Sequence, residues 1–548
     1  MREWRKSGDY SSLEEFIRAK TGVSPEELIN PPKVNPAAIP GLCHAARLIE
    51  QSVAAKTPIV IVGDYDADGI TSTAIMLHLL MALGAASIRY AIPKRFTDGY
   101  GLSEKMISNV HDSLIITVDN GIAAAEAIEA AQQQNNRVIV LDHHLPQEII
   151  PSADVLVDPH VEPDKNPFTG YCGAGLSYKL AELMFQKMEG KEAEKQWANI
   201  TVLACLGTIA DVMPMLGDNR RIVKDGLHIM NDEAALQMLT PGLQQVILLA
   251  DGPYTEDTIK YKLAPILNAC GRLYNAGSSA VVRQLMDKSR LTAVQNAVQM
   301  KNINDRRKEL VAKWMAAIKP VCDKWIDSPI IVTGGYNIPE GIIGILAGQV
   351  AKDYRRPAII FTMKKGEPHA KGSARSYGGF DFSKMIEQLL PLCENGGGHA
   401  GAAGLTINPT NLGKIRKMCV EYMEASGFKA DESIYYDLEV APTECEGIST
   451  ELVKYAPYGE GNPMPVFLVK GIHCHTRRDG RYYIRMGMDE SHIKLLSDGL
   501  SVVAFGLAEE YIQMGAPSTV DVIGDISENE FRGVKSVQVL AEDIRISE

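Results

Sequence analysis

Four apolar residues in a row, Ile59-Val-Ile-Val62, read as a strand buried within a sheet. After a polar turn the chain resumes an apolar run, Ile70 to Leu83, that reads as a buried helix. The alternation continues: Leu114-Ile-Ile-Thr-Val118 predicts a second strand, the alanine-rich stretch Ala123 to Gln134 a helix, and Arg137-Val-Ile-Val-Leu141 a third strand. Strand, helix, strand, helix, strand predicts a parallel sheet with crossover helices from roughly Pro58 to Met215. In such sheets ligands gather at the carboxyl ends of the strands, so those ends are where chemistry is sought.

Downstream, residues 216 to about 285 read as helical and contain Leu263-Ala-Pro-Ile-Leu-Asn-Ala-Cys-Gly-Arg272. The charged stretch Leu291 to Lys319 has no internal Gly or Pro and predicts a long inter-domain helix acting as a rigid spacer. A second α/β unit begins at Ile330-Ile-Val332 and carries a helix from Ile342 to Lys352, a strand Ala358-Ile-Ile-Phe361, the segment Gly372-Ser-Ala-Arg-Ser376 and a glycine-rich loop around His399. From about Asp431, short runs such as Pro465 to Val469, Tyr482 to Arg485, Ser501 to Phe505 and Ser536 to Leu540 alternate with turns, the pattern of a small closed β-barrel. The expected division is an N-terminal helical segment over residues 1–50, whose function is not legible, a parallel-sheet domain over 51–285, a connecting helix over 286–327, a second α/β domain over 328–428 and the barrel over 429–548.

A length of 548 residues accords with three or four domains. No apolar stretch approaches the roughly 20 residues needed to span a bilayer, and the N-terminus is charged and polar without a signal peptide, so a cytoplasmic protein is expected. Nine scattered cysteines without a Cys-x-x-Cys pair are expected to be reduced, and zinc held by thiolates is not expected. The formal net charge of −12 argues against nucleic acid only if basic groups are evenly spread. They are not: between Lys352 and Ser376 stand Lys352, Arg355, Arg356, Lys364, Lys365, Lys371 and Arg375 against Asp353 and Glu367. That stretch is an electropositive patch or a solvated charged face.

The first strand ends in Gly63-Asp-Tyr-Asp-Ala-Asp-Gly69, which sets Asp64, Asp66 and Asp68 at alternate positions; Gly63 and Gly69 allow a tight turn. Carboxylates held so close repel unless a cation sits among them. A solvated Asp-rich turn is the alternative for this motif alone. However, the second strand ends at Asp119-Asn-Gly121 and the third at Asp142-His143-His144, so metal-capable side chains arrive at one edge. Asp211 closes the apolar helical run Thr201 to Ala210 and is read as another ligand, since an unpaired carboxylate there is costly to bury. Five aspartates (64, 66, 68, 119 and 211) with His143 suit Mn²⁺ or Mg²⁺ better than zinc. Six ligands can hold two ions roughly 3.5–4 Å apart, the arrangement that serves phosphoryl displacement by water.

These motifs, with the later Gly396-Gly-Gly-His-Ala-Gly-Ala-Ala-Gly404, resemble in order and spacing the DHH phosphoesterase superfamily over nearly the whole chain from about Pro58, and within it the nucleases of single-stranded DNA. The resemblance implies a DHH-associated domain closing over the catalytic one, a C-terminal OB-fold, and a metal-dependent exonuclease degrading single-stranded DNA from its 5′ end to mononucleotides in repair and recombination. It makes Asp119 the bridging ligand and sets His144 beside the scissile phosphate, with Asp142 completing the catalytic triplet; an alternative role for His144 is to orient His143 or Asp142. His399 in its glycine-rich loop would meet a phosphate oxygen, and a mere tight turn is the other reading. The 5′-phosphate pocket falls on Arg95, Arg272, Ser373 and Arg375, where arginine forks fix a phosphate in position and orientation; ordinary salt-bridged arginines are the alternative. Implied partners are single-strand-binding protein and a helicase, and the implied state is a monomer.

In the barrel, Thr476-Arg-Arg-Asp-Gly-Arg-Tyr-Tyr-Ile-Arg485 joins an Asp-Gly hairpin signal to Arg477, Arg478, Arg481 and Arg485 interleaved with Tyr482 and Tyr483. Cations for phosphates and rings for bases suit a single-strand platform; a charged hairpin with core tyrosines is the alternative. Two rival functions stay open at this level: a phosphodiesterase for short oligonucleotides or small nucleotides, and a non-catalytic replication scaffold. The appended barrel argues against the first and the intact ligand set against the second.

Overall fold

The computed structural model describes residues 2–99, 101–186, 188–531 and 534–547. The chain forms two compact units: Val34–Asp211 with Ile222–Asp431, and Met1–Lys33 with Val212–Arg221 and Glu432–Glu548. Among the described residues no helix is long and apolar enough to cross a membrane.

The larger unit contains two sheets. The first is wholly parallel, with strands in the order Ile88–Ala91, Ile59–Val62, Leu114–Val118, Arg137–Leu141 and Val155–Val157. The three strands expected from the apolar runs are its interior members, buried on both faces as all-parallel strands must be. The two edge strands are short and partly exposed, so they lack a continuous apolar run. From Ile59–Val62 the chain moves to one side, to Ile88–Ala91, and then returns to the other side at Leu114–Val118. That reversal opens a crevice at the carboxyl ends of these two strands, where Asp64 to Asp68 and Asp119 are delivered. Helix Ala67–Ala82 is buried almost all round against helices Gly173–Phe185 and Lys191–Ala210, which is why its sequence shows no polar face.

The long helix, Arg290–Cys322, is not a free spacer. Ala293, Ala297, Met300, Asn304, Val311, Ile318 and Cys322 form one buried stripe along it. Its first half packs on helix Ala264–Leu273 and its second half on strand Ile331–Tyr336 and helix Ile343–Tyr354, so it is core to both parts of the unit.

The second sheet runs Cys393–His399, Ala402–Ile407, Ala370–Arg375, Ala358–Met363, Ile331–Tyr336, with only the last pair parallel. The expected glycine-rich loop is instead a β-hairpin in which Gly397 faces Gly404 across the ladder. A Cβ added at either glycine would meet no atom within 4 Å, so these glycines leave an open floor beside the strands. Gly398 differs, because a Cβ there would lie 2.3 Å from the Ala402 carbonyl oxygen.

The smaller unit is built on a seven-stranded sheet with Leu438–Val440 and Tyr483–Met486 at its two edges and the long pair Thr519–Phe531 and Val534–Ile546 inside. The N-terminal residues belong to this unit. Strand Trp4–Lys6 pairs with Ile434–Tyr436, and Leu13, Phe16, Ile17 and Leu28 share a core with Phe467, Val469, Val502 and Tyr511. Arg220, fully buried, donates to the carbonyls of Leu28 (2.5 Å), Tyr455 (2.8 Å), Ala456 (2.7 Å) and Pro457 (2.6 Å), stapling the three chain segments of the unit together.

Candidate active site

The acidic turn is held from several sides. Asp66 caps the N-terminus of helix Ala67–Ala82, its Oδ1 accepting from the amides of Asp68 (3.0 Å) and Gly69 (3.2 Å). Asp68 accepts from the amides of Gly173 (2.7 Å) and Ala174 (2.9 Å) at the start of the next buried helix. Asn268 takes the Ala67 amide at 3.0 Å and Ser278 donates to the Tyr65 carbonyl at 2.5 Å, so helices distant in sequence fix the turn. Asp119 sits in the left-handed region at φ +60°, turning its carboxylate back over the sheet edge.

Three groups then converge: Asp64, Asp66 and Asp119; Asp68, His143 and Asp211; Asp119, His143 and His144. Within each, ligand atoms lie within 4.8 Å of one another. His143 Nε2 is the hub, 3.1 Å from Asp119 Oδ1, 3.6 Å from Asp211 Oδ2 and 3.8 Å from Asp68 Oδ2. Burial and neighbouring carboxylates push Asp64, Asp66 and Asp119 above their ordinary range and Asp211 up to about 8, while burial holds His143 low. Asp64 Oδ1 and Asp211 Oδ2 are buried and, among the described residues, lack a hydrogen-bond partner. So many carboxylates raised together, with orphaned oxygens, mark a site whose compensating charge is a cation. The oxygen-rich donor set with one imidazole fits Mn²⁺ or Mg²⁺.

Asp142 does not face this cluster with a free oxygen. Its Oδ2 accepts from the Ile122 amide at 2.8 Å, and its Oδ1 from the His143 amide at 2.8 Å and from His144 Nδ1 at 2.7 Å. Burial opposes the charge on His144, but in the metal-free protein the bond to Asp142 outweighs it and raises the imidazole to about 9. His143 and His144, their rings 4.4 Å apart, thus divide the work: one deprotonated for metal, the other charged.

A second pocket, about 460 Å³, gathers Arg95, Arg272, Ser373 and Arg375 with Tyr65, Gly344 and Lys371. Arg95 lies over the Tyr65 ring at 4.5 Å, so the residue between Asp64 and Asp66 in sequence is the bed for a pocket arginine. Arg375 is 3.0 Å from Ser373 Oγ, and a Cβ on Gly344 would come within 2.9 Å of its Nη2, so that glycine makes room for the guanidinium. The N-terminal turn of helix Ile343–Tyr354 also lines the pocket through Ile343 and Gly344. Burial and the nearby guanidiniums of Arg95, Arg307 and Arg375 press Arg272 down to about 10, the mirror image of the acidic cluster: positive charge awaiting an anion. Sequence reading passed over Tyr65, Gly344 and the Glu340 to Lys371 ion pair at 2.6 Å; only the position of Tyr65 inside the acidic motif could have pointed to it.

Of the seven basic residues in the 352–376 stretch only Lys371 and Arg375 line this pocket; Arg356 is spent on the carbonyls of Ile326 and Ser328, and Lys364 pairs with Glu367 at 3.2 Å. Gly396 and Gly397 line it too, whereas His399 stands exposed at the hairpin end with Nδ1 accepting from the Gly401 amide at 3.1 Å.

In the smaller unit the rings expected to stack on bases are half-buried: Tyr482 and Tyr483 pack against the hydrophobic core, Tyr483 edge-on to Tyr511 at 5.6 Å. Arg485 pairs with Glu509 (2.9 Å) and Glu490 (3.6 Å), and Arg477 with Asp479 (3.4 Å). Arg481 lies 6.0 Å over Tyr483, Arg478 is exposed, and Phe505 is turned outward at 62% exposure.

A buried acid-and-imidazole cluster at a sheet switch point, facing a domain that brings its own arginine, defines a phosphoesterase of the DHH class, and the profile of the DHH family N-terminal domain matches residues 58–208, that of the DHHA1 domain 327–425 and that of the RecJ OB domain 436–543. The single-stranded-DNA-specific exonuclease RecJ of Thermus thermophilus is 30% identical over 92% of this chain and 71% of its own length. The RecJ of Escherichia coli K12 is 28% identical over 97% and 93%, and that of Bacillus subtilis 168 is 31% identical over 94% of this chain, which spans only 64% of that relative. A crystal structure of T. thermophilus RecJ with Mn²⁺ superposes with a TM-score of 0.83 at 26% identity, covering 100% of this chain and 80% of that one. The chain belongs to the RecJ family of single-stranded-DNA-specific exonucleases.

Proposed function

We propose that the protein is a metal-dependent exonuclease that hydrolyses single-stranded DNA from its 5′ end and releases mononucleotides. The observation that carries cleavage next to a strand end is the adjacency of two oppositely charged sites: Tyr65 lies under Arg95 of the arginine pocket while its neighbours in sequence, Asp64 and Asp66, belong to the acidic cluster; the 5′ polarity rests on the family resemblance. A terminal phosphate seated on Arg95, Arg272, Ser373 and Arg375 leaves the next phosphodiester for the cluster.

Asp64, Asp66, Asp68, Asp119, His143 and Asp211 would hold a pair of Mn²⁺ or Mg²⁺ ions, which supply the Lewis acidity that activates water and neutralises the reacting phosphate; T. thermophilus RecJ has been crystallised with each of these metals. His144, charged and clamped by Asp142, donates a proton or a hydrogen bond to a phosphate oxygen as charge develops. His399 serves a phosphate from the opposite domain when the strand is bound. Arg477, Arg478, Arg481 and Arg485 hold the strand's backbone, and Tyr482 and Tyr483 brace their hairpin. On the same reading a single-strand-binding protein and a helicase present the substrate during repair and recombination, and the protein acts as a cytoplasmic monomer.

The test uses single strands and duplexes labelled at either end, with and without Mn²⁺. Mononucleotide released first from the 5′ label of single strands, only with metal, is expected. Release from the 3′ end, or equal rates on a dinucleotide and a long strand, would overturn the proposal.

A further inference from the structure

Arg272 and Tyr274 lie two residues apart at the end of helix Ala264–Leu273 yet serve different cavities. Arg272 lines the phosphate pocket. Tyr274 lines a second cavity of about 560 Å³, walled by that helix end, helix Gly277–Leu285 and the first half of helix Arg290–Cys322. Nothing in the reaction uses this space, and its volume lies in the range of small-molecule sites.

Its chemistry is selective. Val281, Met300 and Ile303 give apolar wall, and no lining residue is acidic while Arg283 is cationic, so the cavity suits a neutral or anionic guest. The Tyr274 ring is 43% exposed and steadied by a 3.2 Å bond from Arg306 to its phenol, a surface for a flat partner. Gln284 is buried at 1% exposure; its Nε2 donates to Gly242 and Ala293 carbonyls, both at 3.0 Å, while its Oε1 has no hydrogen-bond partner among the described residues. That oxygen is shut off from the cavity, so Gln284 fixes the wall and the guest is read by the exposed groups. Gln299 adds an exposed amide able to read a polar edge.

We propose that this cavity binds a deoxynucleotide: the base stacks on Tyr274, its polar edge meets the Gln299 amide, and Arg283 meets the phosphate. The choice of a deoxynucleotide rests on the nuclease reading; the planar, anionic character of the guest does not. The guest is either a free mononucleotide or a nucleotide within a bound strand.

The full-length protein is photolabelled with 8-azido-dAMP in EDTA, which stops hydrolysis, and labelled peptides are mapped. Label is expected within residues 274–303, in the native protein and equally in Arg375→Ala. At two exposed positions, Tyr274→Leu is expected to cut that label roughly tenfold, about the worth of one stacking contact, and Gln299→Ala roughly fivefold, about that of one hydrogen bond, without changing label at the phosphate pocket. Displacement by dAMP identifies a free mononucleotide as the guest; displacement only by a 5′-blocked oligonucleotide identifies a strand. Label confined to the phosphate pocket, or unaffected by both substitutions, overturns the proposal. Absence of nuclease activity in the native protein would instead strike the function proposed above and leave the mapped label standing.

Discussion

Asp142 grips His144 through a 2.7 Å contact between Oδ1 and Nδ1, and the same oxygen takes the His143 amide. One carboxylate therefore orders the His144 imidazole and the backbone of His143, whose Nε2 is left for metal. Asp142→Asn is expected to lower nuclease activity roughly 10- to 100-fold, since the charge-assisted bond it removes from His144 contributes about 1.5–3 kcal/mol. The folded-state value of His144 is raised from 6.5 to about 9, so its contribution is complete below 6.5 and fades as pH climbs through 9. In Asp142→Asn that fading shifts toward neutral pH, and the activity deficit should widen from pH 6 to pH 8. NMR titration of His144 checks the cause; an unmoved imidazole would refute it.

The acidic cluster makes metal affinity steeply pH-dependent. Asp211 is raised from 3.8 to about 8, so in the metal-free protein its favourable contribution is complete below 3.8 and is lost as pH rises through 8. Mn²⁺ must displace that proton. Affinity measured by calorimetry should strengthen from pH 6 to pH 8 with protons released, and the Mn²⁺-induced gain in Tm should be larger at pH 8 than at pH 5. A pH-independent affinity would show that the carboxylates are not ligands.

Arg272→Ala and Arg375→Ala are expected to spare Mn²⁺ binding yet slow cleavage of 5′-phosphorylated strands roughly 10- to 100-fold, since a charge-assisted bond to a buried phosphate contributes about 1.5–3 kcal/mol. Strands with a 5′-hydroxyl should be affected far less. Equal loss on both ends would mean that these arginines bind the strand generally.

Gly173 touches Asp119 through its missing side chain: a Cβ there would fall 2.5 Å from Asp119 Cβ and 2.9 Å from its Cα. Gly173→Ala must push Asp119 away, and it also disturbs the amide that holds Asp68. A weakening of Mn²⁺ binding by at least tenfold is expected, at a stability cost of about 1–3 kcal/mol, read by calorimetry and thermal melting. Gly413→Ala, in helix Leu412–Ser426 with open space around the Cβ and no left-handed backbone, controls for loss of a glycine as such.

The three interior strands and the acidic turn were legible because they obey local rules: residues buried on both faces are continuously apolar, and a carboxylate at a strand's end is placed by the strand itself. The edge strands were not, being short and only partly apolar, nor was the strand Trp4–Lys6, which owes its state to Ile434–Tyr436 far along the chain; the hairpin Cys393–His399 pairs with its neighbour Ala402–Ile407, but its glycines carry no apolar alternation. The long helix was found but misread as a spacer, because a narrow stripe of small residues such as Ala293 and Ala297 does not stand out among charges.

The sequence by itself determined the donor set, since Asp64 through Asp68 are bound to lie together by covalent spacing, and the motif order carried the family. Tertiary structure alone decided that Tyr65 beds Arg95 in the pocket the family resemblance assigns to Arg95, Arg272, Ser373 and Arg375, that both oxygens of Asp142 are taken, and that Tyr482 and Tyr483 lean on a core. The reason is that charge and ring chemistry are properties of residues, while what a guanidinium or a ring meets is settled by packing between segments hundreds of positions apart.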